Sequence, residues 1–72
     1  MILFTTYEAK DANGNFVITN WGFNSAEELE ERLKTGVVPN NYDEIYDVEI
    51  DGEKKYFPGG TWFEDLLTYL GL

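Results

Sequence analysis

The chain reads as an α+β domain of plan ββαββα, a four-stranded antiparallel sheet with two helices packed on one face. Three observations predict it. Two hairpin dipeptides, Asn13-Gly14 and Asp51-Gly52, each follow a stretch rich in β-branched and aromatic residues and return into another strand. Two helix-start signals, Ser25-Ala26-Glu27-Glu28 and Thr61-Trp62-Phe63-Glu64, come after the hairpins. The length of 72 residues admits one domain, spanning 1–72.

The first two strands are expected over residues 2–10 and 15–21, carrying Ile2, Phe4, Thr5, Thr6 and Tyr7, then Phe16, Val17, Ile18, Thr19 and Trp21. A two-residue type I′ turn at Asn13-Gly14 pairs Lys10 with Val17 and Ala9 with Ile18. Leu3, Tyr7, Ala9, Phe16 and Ile18 then share one face, assigned to the core. Ser25 caps a helix that runs to about Thr35, with Glu28 reaching back from its first turn. Ala26, Leu29 and Leu33 form its apolar stripe, and Gly36 and Pro39 end it. Glu28–Arg32 and Glu30–Lys34 are i,i+4 pairs in the favourable order.

From Glu44 to Ile50 the sequence alternates. Tyr46, Val48 and Ile50 fall on one side of a strand and Ile45, Asp47 and Glu49 on the other. Asp51-Gly52 turns the chain into a fourth strand over residues 54–57, with the turn length left open between two and three residues. Pro58-Gly59-Gly60 breaks that strand. A helix capped by Thr61 and Glu64 then presents Trp62, Phe63, Leu66, Leu67 and Leu70 and stops at Gly71.

Composition excludes much chemistry. The absence of Cys removes disulfides and thiolate-bound zinc. The absence of His removes the commonest general base and metal ligand. Asp47-Val48-Glu49-Ile50-Asp51-Gly52 opens like a calcium loop, but Lys54 sits at its eighth position and Pro58 at its twelfth, where a bidentate Glu is needed. No nucleophile elbow or phosphate loop is present. The expectation is therefore a binding protein without catalytic residues, cofactor or metal. Twelve aromatic residues supply the core of so small a chain.

Fourteen acidic residues against five basic ones give a formal charge of −9. That balance argues against direct contact with nucleic acid or an anionic membrane, both of which call for Lys and Arg. No apolar run reaches membrane-spanning length and the start lacks a signal-peptide pattern, so a cytoplasmic protein is expected. Two acidic patches follow from the periodicities: Glu27, Glu28, Glu30 and Glu31 on the first helix, and Asp43, Glu44, Asp47, Glu49, Asp51 and Glu53 along the third strand, where alternate residues recur about every 6.8 Å. Glu27, Glu30, Glu31, Asp47, Glu49 and Asp51 are the candidates to meet a partner. Fixed carboxylates in such a row suit a basic groove on a nucleic-acid-binding protein. Trp21, expected opposite Thr6 and off the core face, is the candidate apolar anchor of that interface. Packing of Trp21 beneath the loop near Val37–Tyr42, and acidity serving solubility alone in a small structural or oligomerisation domain, are the alternatives. The chain is expected to be a monomer or a homodimer.

The run from Tyr7 to Phe16 through Trp21 and on to Ser25-Ala26-Glu27-Glu28 is similar in layout to the first domain of antirestriction proteins. In size, charge and lack of His and Cys the chain resembles the small anti-defence proteins of phages and mobile elements, the DNA-mimicking and anti-CRISPR types. The resemblance covers about the first half of the chain and transfers no individual residue. It implies a viral inhibitor acting in a host cytoplasm.

Overall fold

The computed structural model describes residues 1–10, 12–56 and 61–72, with the backbone alone at residues 8–10 and 16. Its elements run β1 Ile2–Lys10, β2 Phe16–Phe23, α1 Ala26–Thr35, β3 Ile45–Ile50, β4 Glu53–Lys54 and α2 Phe63–Leu70. The strands form one antiparallel sheet in the order β2-β1-β3-β4. This is the α+β, ββαββα arrangement the sequence predicts. A single apolar cluster joins Ile2, Phe4, Phe23, Ile45 and Val48 of the sheet to Leu29 of α1 and Phe63 and Leu66 of α2. Phe4 lies at its centre, with ring centroids 6.3 Å from Trp21, 6.1 Å from Phe23 and 5.8 Å from Phe63.

The first hairpin departs from expectation. Tyr7 pairs with Ile18 and Thr6 with Thr19, and a register shift brings Lys10 opposite Phe16. Of Asn13 and Gly14 only the glycine has positive φ, at 83°, so a type I′ turn is absent. The pairing has slipped by two residues along most of its length, and an even slip keeps each side chain on its face. Leu3, Tyr7 and Ile18 therefore do share a face, but it is the solvent face. The assignment of these residues to the core is reversed. Ile2, Phe4, Thr6, Trp21 and Phe23 point to the helices instead. Both faces of the hairpin are apolar in sequence, and the stacked aromatic set beneath Leu29 and Phe63 decides between them. The side chains of Ala9 and Phe16 lie outside the described residues.

Helix α1 forms where its cap places it. Ser25 Oγ accepts from the Glu28 N–H at 3.2 Å, while the Glu28 carboxylate accepts from the N–H of Asn24. Gly36 closes the helix at φ 79°, its N–H donating to the Arg32 carbonyl at 3.0 Å. Leu29 is fully buried, flanked by Ala26 and Leu33. Arg32 pairs with Glu28 at 3.8 Å, whereas Lys34 takes Glu31 at 3.4 Å in place of Glu30.

Helix α2 starts one residue later than its sequence signal. Trp62 is the N-cap, and Asp65, not Glu64, reaches back to the Trp62 N–H at 3.0 Å. The loop before β3 explains the shift. The Phe63 N–H donates to the Asp43 carbonyl at 2.9 Å and the Glu64 N–H to the Asn41 carbonyl at 3.0 Å. These carbonyls satisfy first-turn donors that a Thr61 cap would otherwise have served. Gly71 ends the helix at φ 77°.

Strand β3 does not alternate evenly. Thr5 pairs with Tyr46 and Leu3 with Glu49, so Asp47 and Val48 together face Phe4. Asp47 occupies the left-handed position of this bulge at φ 54°. The extra residue lets Ile45 and Val48, three apart, both reach the core. The expected grouping of Ile45 with Asp47 and Glu49 is thereby corrected. Asp51 and Gly52 then take φ of 52° and 84°, and Ile50 pairs with Glu53, which makes this a two-residue turn of the I′ kind. Phe57, expected in the fourth strand, and the Pro58-Gly59-Gly60 break lie outside the described residues.

Candidate functional site

Both helices cover one face of the sheet and leave the other open. The strand pairings set out that open face in rungs. Gly22, Leu3, Glu49 and Lys54 form one; Asn20, Thr5 and Tyr46 form the next; Ile18 and Tyr7 form the third. Thr5 Oγ1 donates to Asn20 Oδ1 at 2.9 Å, tying the middle rung together. Across rungs, Tyr7 stands edge-on to Tyr46 with centroids 4.7 Å apart and ring planes at 87°. This edge-to-face arrangement suits the ring quadrupoles. With Leu3 and Ile18 (55% exposed) the two tyrosines form an apolar and aromatic patch facing solvent.

Carboxylates surround the patch. The Tyr46 hydroxyl donates to the Glu44 carboxylate, and that bond raises the phenol's pKa above its ordinary value. Asp47 and Glu49 follow along β3. On the neighbouring strand and beyond it, Lys55 Nζ pairs with Glu53 at 3.1 Å. The Lys55 pKa is raised, first by that bond and next by the charge of Tyr69. Glu44, Asp47 and Glu49 thus stand beside the patch, with Lys54 on the rung of Leu3 and Glu49, whereas Glu53 pairs with Ile50 on the helix-side face. An open pocket of about 340 Å³ at this end is lined by Tyr7, Tyr46, Asp47, Lys54, Lys55 and Tyr56 among others.

The residues expected to meet a partner are not brought together. Glu27, Glu30 and Glu31 are exposed on α1, on the helix side of the sheet. Glu49 lies on the opposite side, on the rung of Leu3 and Lys54, and the bulge residue Asp47 lines the pocket beside Tyr7 and Tyr46. Asp51 sits in the tight turn, where its carboxylate accepts from the Met1 amino group at 2.7 Å. That bond, and then the amino group's charge, lower its pKa below the ordinary carboxylate value. The bulge at Asp47 and the turn at Asp51 break the evenly spaced acidic row that strict alternation implies. Trp21 pairs with Phe4, not Thr6, and packs against the core. Its indole N–H donates at 2.9 Å to Oγ1 of Thr6, a buried threonine diagonal to it. The solvent face is therefore not its setting.

Tyr7 becomes a surface residue once the inward face of β1 is fixed, and Tyr46 stands beside it there. The signal available was the greater aromatic mass of the other face, Phe4, Trp21 and Phe23.

No family model, curated protein or solved structure matches this chain. Among the described residues no cluster of three or more Asp or Glu is placed to hold a metal ion, and no helix is long and apolar enough to cross a membrane.

Proposed function

We propose that this chain is a non-catalytic binding protein that lays its open sheet face on a basic protein of the nucleic-acid-binding kind, and so inhibits or modulates it. The observation that carries the reading is the aromatic pair Tyr7–Tyr46 exposed on a helix-free sheet face with Glu44, Asp47 and Glu49 beside it. Large amphipathic rings supply contact area at low entropic cost, and a rim of charge steers the encounter. The net charge of −9 supports a basic surface on that partner. Tyr46 and Tyr7 take the anchoring role first given to Trp21. The reading rests on charge density and needs no phosphate-like spacing of carboxylates. Action as a phage-type anti-defence inhibitor is one form of the same proposal.

The bulge dictates how the reading is tested. Lysine at position 47 would strain a left-handed backbone, so a charge reversal there confounds folding with binding. Asp47→Asn with Glu49→Gln removes two charges and keeps the backbone. The immobilised protein is used to capture partners from cell lysate at low and high salt, with mass-spectrometric identification. The expected catch is nucleic-acid-binding proteins, weakened by salt, lost in Asp47→Asn/Glu49→Gln and kept in Glu27→Gln/Glu30→Gln/Glu31→Gln. Retention of the same proteins by the first variant, or a catch indifferent to salt, refutes the assignment.

A further inference from the structure

Sheet order places β2 at an edge. Its eight residues, Phe16–Phe23, pair with β1 on one side only, so among the described residues its outward N–H and C=O groups have no backbone partner. An exposed edge about 27 Å long is a template for another strand. Natural sheets blunt such edges with Lys, Pro, inward-pointing charge or brevity. Phe16-Val17-Ile18-Thr19-Asn20-Trp21-Gly22-Phe23 contains no charged residue and no Pro. The opposite edge, β4, has two residues, and both are charged. The contrast extends along the sequence. Residues 12–26 make the longest uncharged run in a chain with 14 acids, and it is centred on β2.

We propose that β2 is a homodimerisation edge, pairing antiparallel with β2 of a second copy about a two-fold axis. A second copy is the occupant that the charge pattern selects. A basic partner gains no electrostatic attraction along an uncharged strand, whereas two copies of a chain carrying −9 meet there without direct charge repulsion. The pairing is isologous, each edge serving as both template and strand. It also extends the face beneath the helices, where Trp21 is only half-buried, so that Trp21 of each copy gains cover. This interface meets the border of the Tyr7–Tyr46 patch at Ile18, which pairs with Tyr7, but pairing along the β2 backbone does not depend on the reading given above for that patch.

Salt tells the two apart. Screening weakens attraction to a basic partner but strengthens association between two acidic copies. The test is sedimentation velocity on the wild type and on Ile18→Lys/Asn20→Lys, over a range of concentration at low and high salt. Ile18 and Asn20 are exposed on the open face, so the substitutions leave the core untouched. In each two-fold register centred on position 18, 19 or 20, a lysine of one copy faces a lysine of the other. The wild type is expected to dimerise, more tightly at high salt, and the variant to raise the dissociation constant by about tenfold or more with an unchanged circular dichroism spectrum. The variant's lower net negative charge would by itself favour association, so its loss reports on the edge. Should the variant misfold, hydrogen exchange on the wild type decides: β2 amide protection is expected to rise with protein concentration. A wild type that stays monomeric, a variant that dimerises as well as the wild type, or β2 protection independent of concentration overturns the proposal. Capture of a neutral extended peptide by a wild type that never self-associates counts against it equally.

Discussion

Asp47 holds a full side chain in the left-handed region, at φ 54°. A Cβ in that region costs about 1–2 kcal/mol, less for Asp and Asn, whose short polar groups bond locally. Asp47→Gly removes the clash but frees the unfolded chain, which works in the opposite direction by about 0.5–1 kcal/mol. The net expectation is no loss, or a gain of up to about 1 kcal/mol. Asp47→Val keeps the clash and adds a β-branch, the side chain least suited to positive φ, with an expected loss of about 1–2 kcal/mol. For 72 residues, a melting entropy of about 2.1 cal/mol/K per residue makes 1 kcal/mol worth ~7 °C. Asp47→Val should therefore melt about 7–13 °C below the wild type. Glu49→Gly is the control, because Glu49 lies in extended pairing with Leu3 and Lys54. Glycine there should lower stability by about 0.5–1 kcal/mol. Thermal melts followed by circular dichroism read all three variants. If glycine harms both positions alike, or Asp47→Val melts with the wild type, the left-handed bulge is wrong. The placement of both Ile45 and Val48 in the core would fall with it.

Three further outcomes are expected. Trp21→Phe deletes the bond to Thr6 Oγ1 and strands a buried hydroxyl, a loss of about 1–2 kcal/mol in urea unfolding, with partner capture unchanged; capture abolished at unaltered stability would restore Trp21 as the surface anchor. Phe63→Ala empties a fully buried site against Phe4 and should cost about 3–5 kcal/mol, a large share of the ~4–11 kcal/mol expected for a chain this size; a melt within a few degrees of wild type would contradict the core described. Asp51 has a lowered pKa in the folded state, so its contribution is present above the ordinary carboxylate value and is lost as pH falls through the lowered one. Asp51→Asn, tolerated at φ 52°, should trail the wild type near neutrality and converge with it in acid; a gap that widens below about pH 4 would reverse the sign of the linkage.

Legibility in the sequence followed the range of the interactions. Helix ends depend on residues three or four apart, and Ser25, Gly36 and Gly71 marked them correctly. Helix α2 began one residue late because distant carbonyls at Asn41 and Asp43 replaced the local cap. Strand existence was legible from β-branched and aromatic content. The inward face of β1 was not, since Leu3 and Tyr7 compete with Ile2 and Phe4 on apolarity, and only packing against Phe63 and Leu29 settles the choice. Nor was the bulge, because Asp47 fills a position where glycine would have advertised the turn. The acidic helix face was legible from its 3.6-residue period. The acidic strand row failed where alternation itself fails, at Asp47 and Asp51.

The two borders of the sheet differ in kind. On one side β4 is two residues, Glu53 and Lys54; on the other β2 is eight, all uncharged. A ribbon receptive at both borders would grow without limit into filaments. Among the described residues only one border is receptive, so on the dimer proposal joining consumes the growing end of each copy and assembly stops at two.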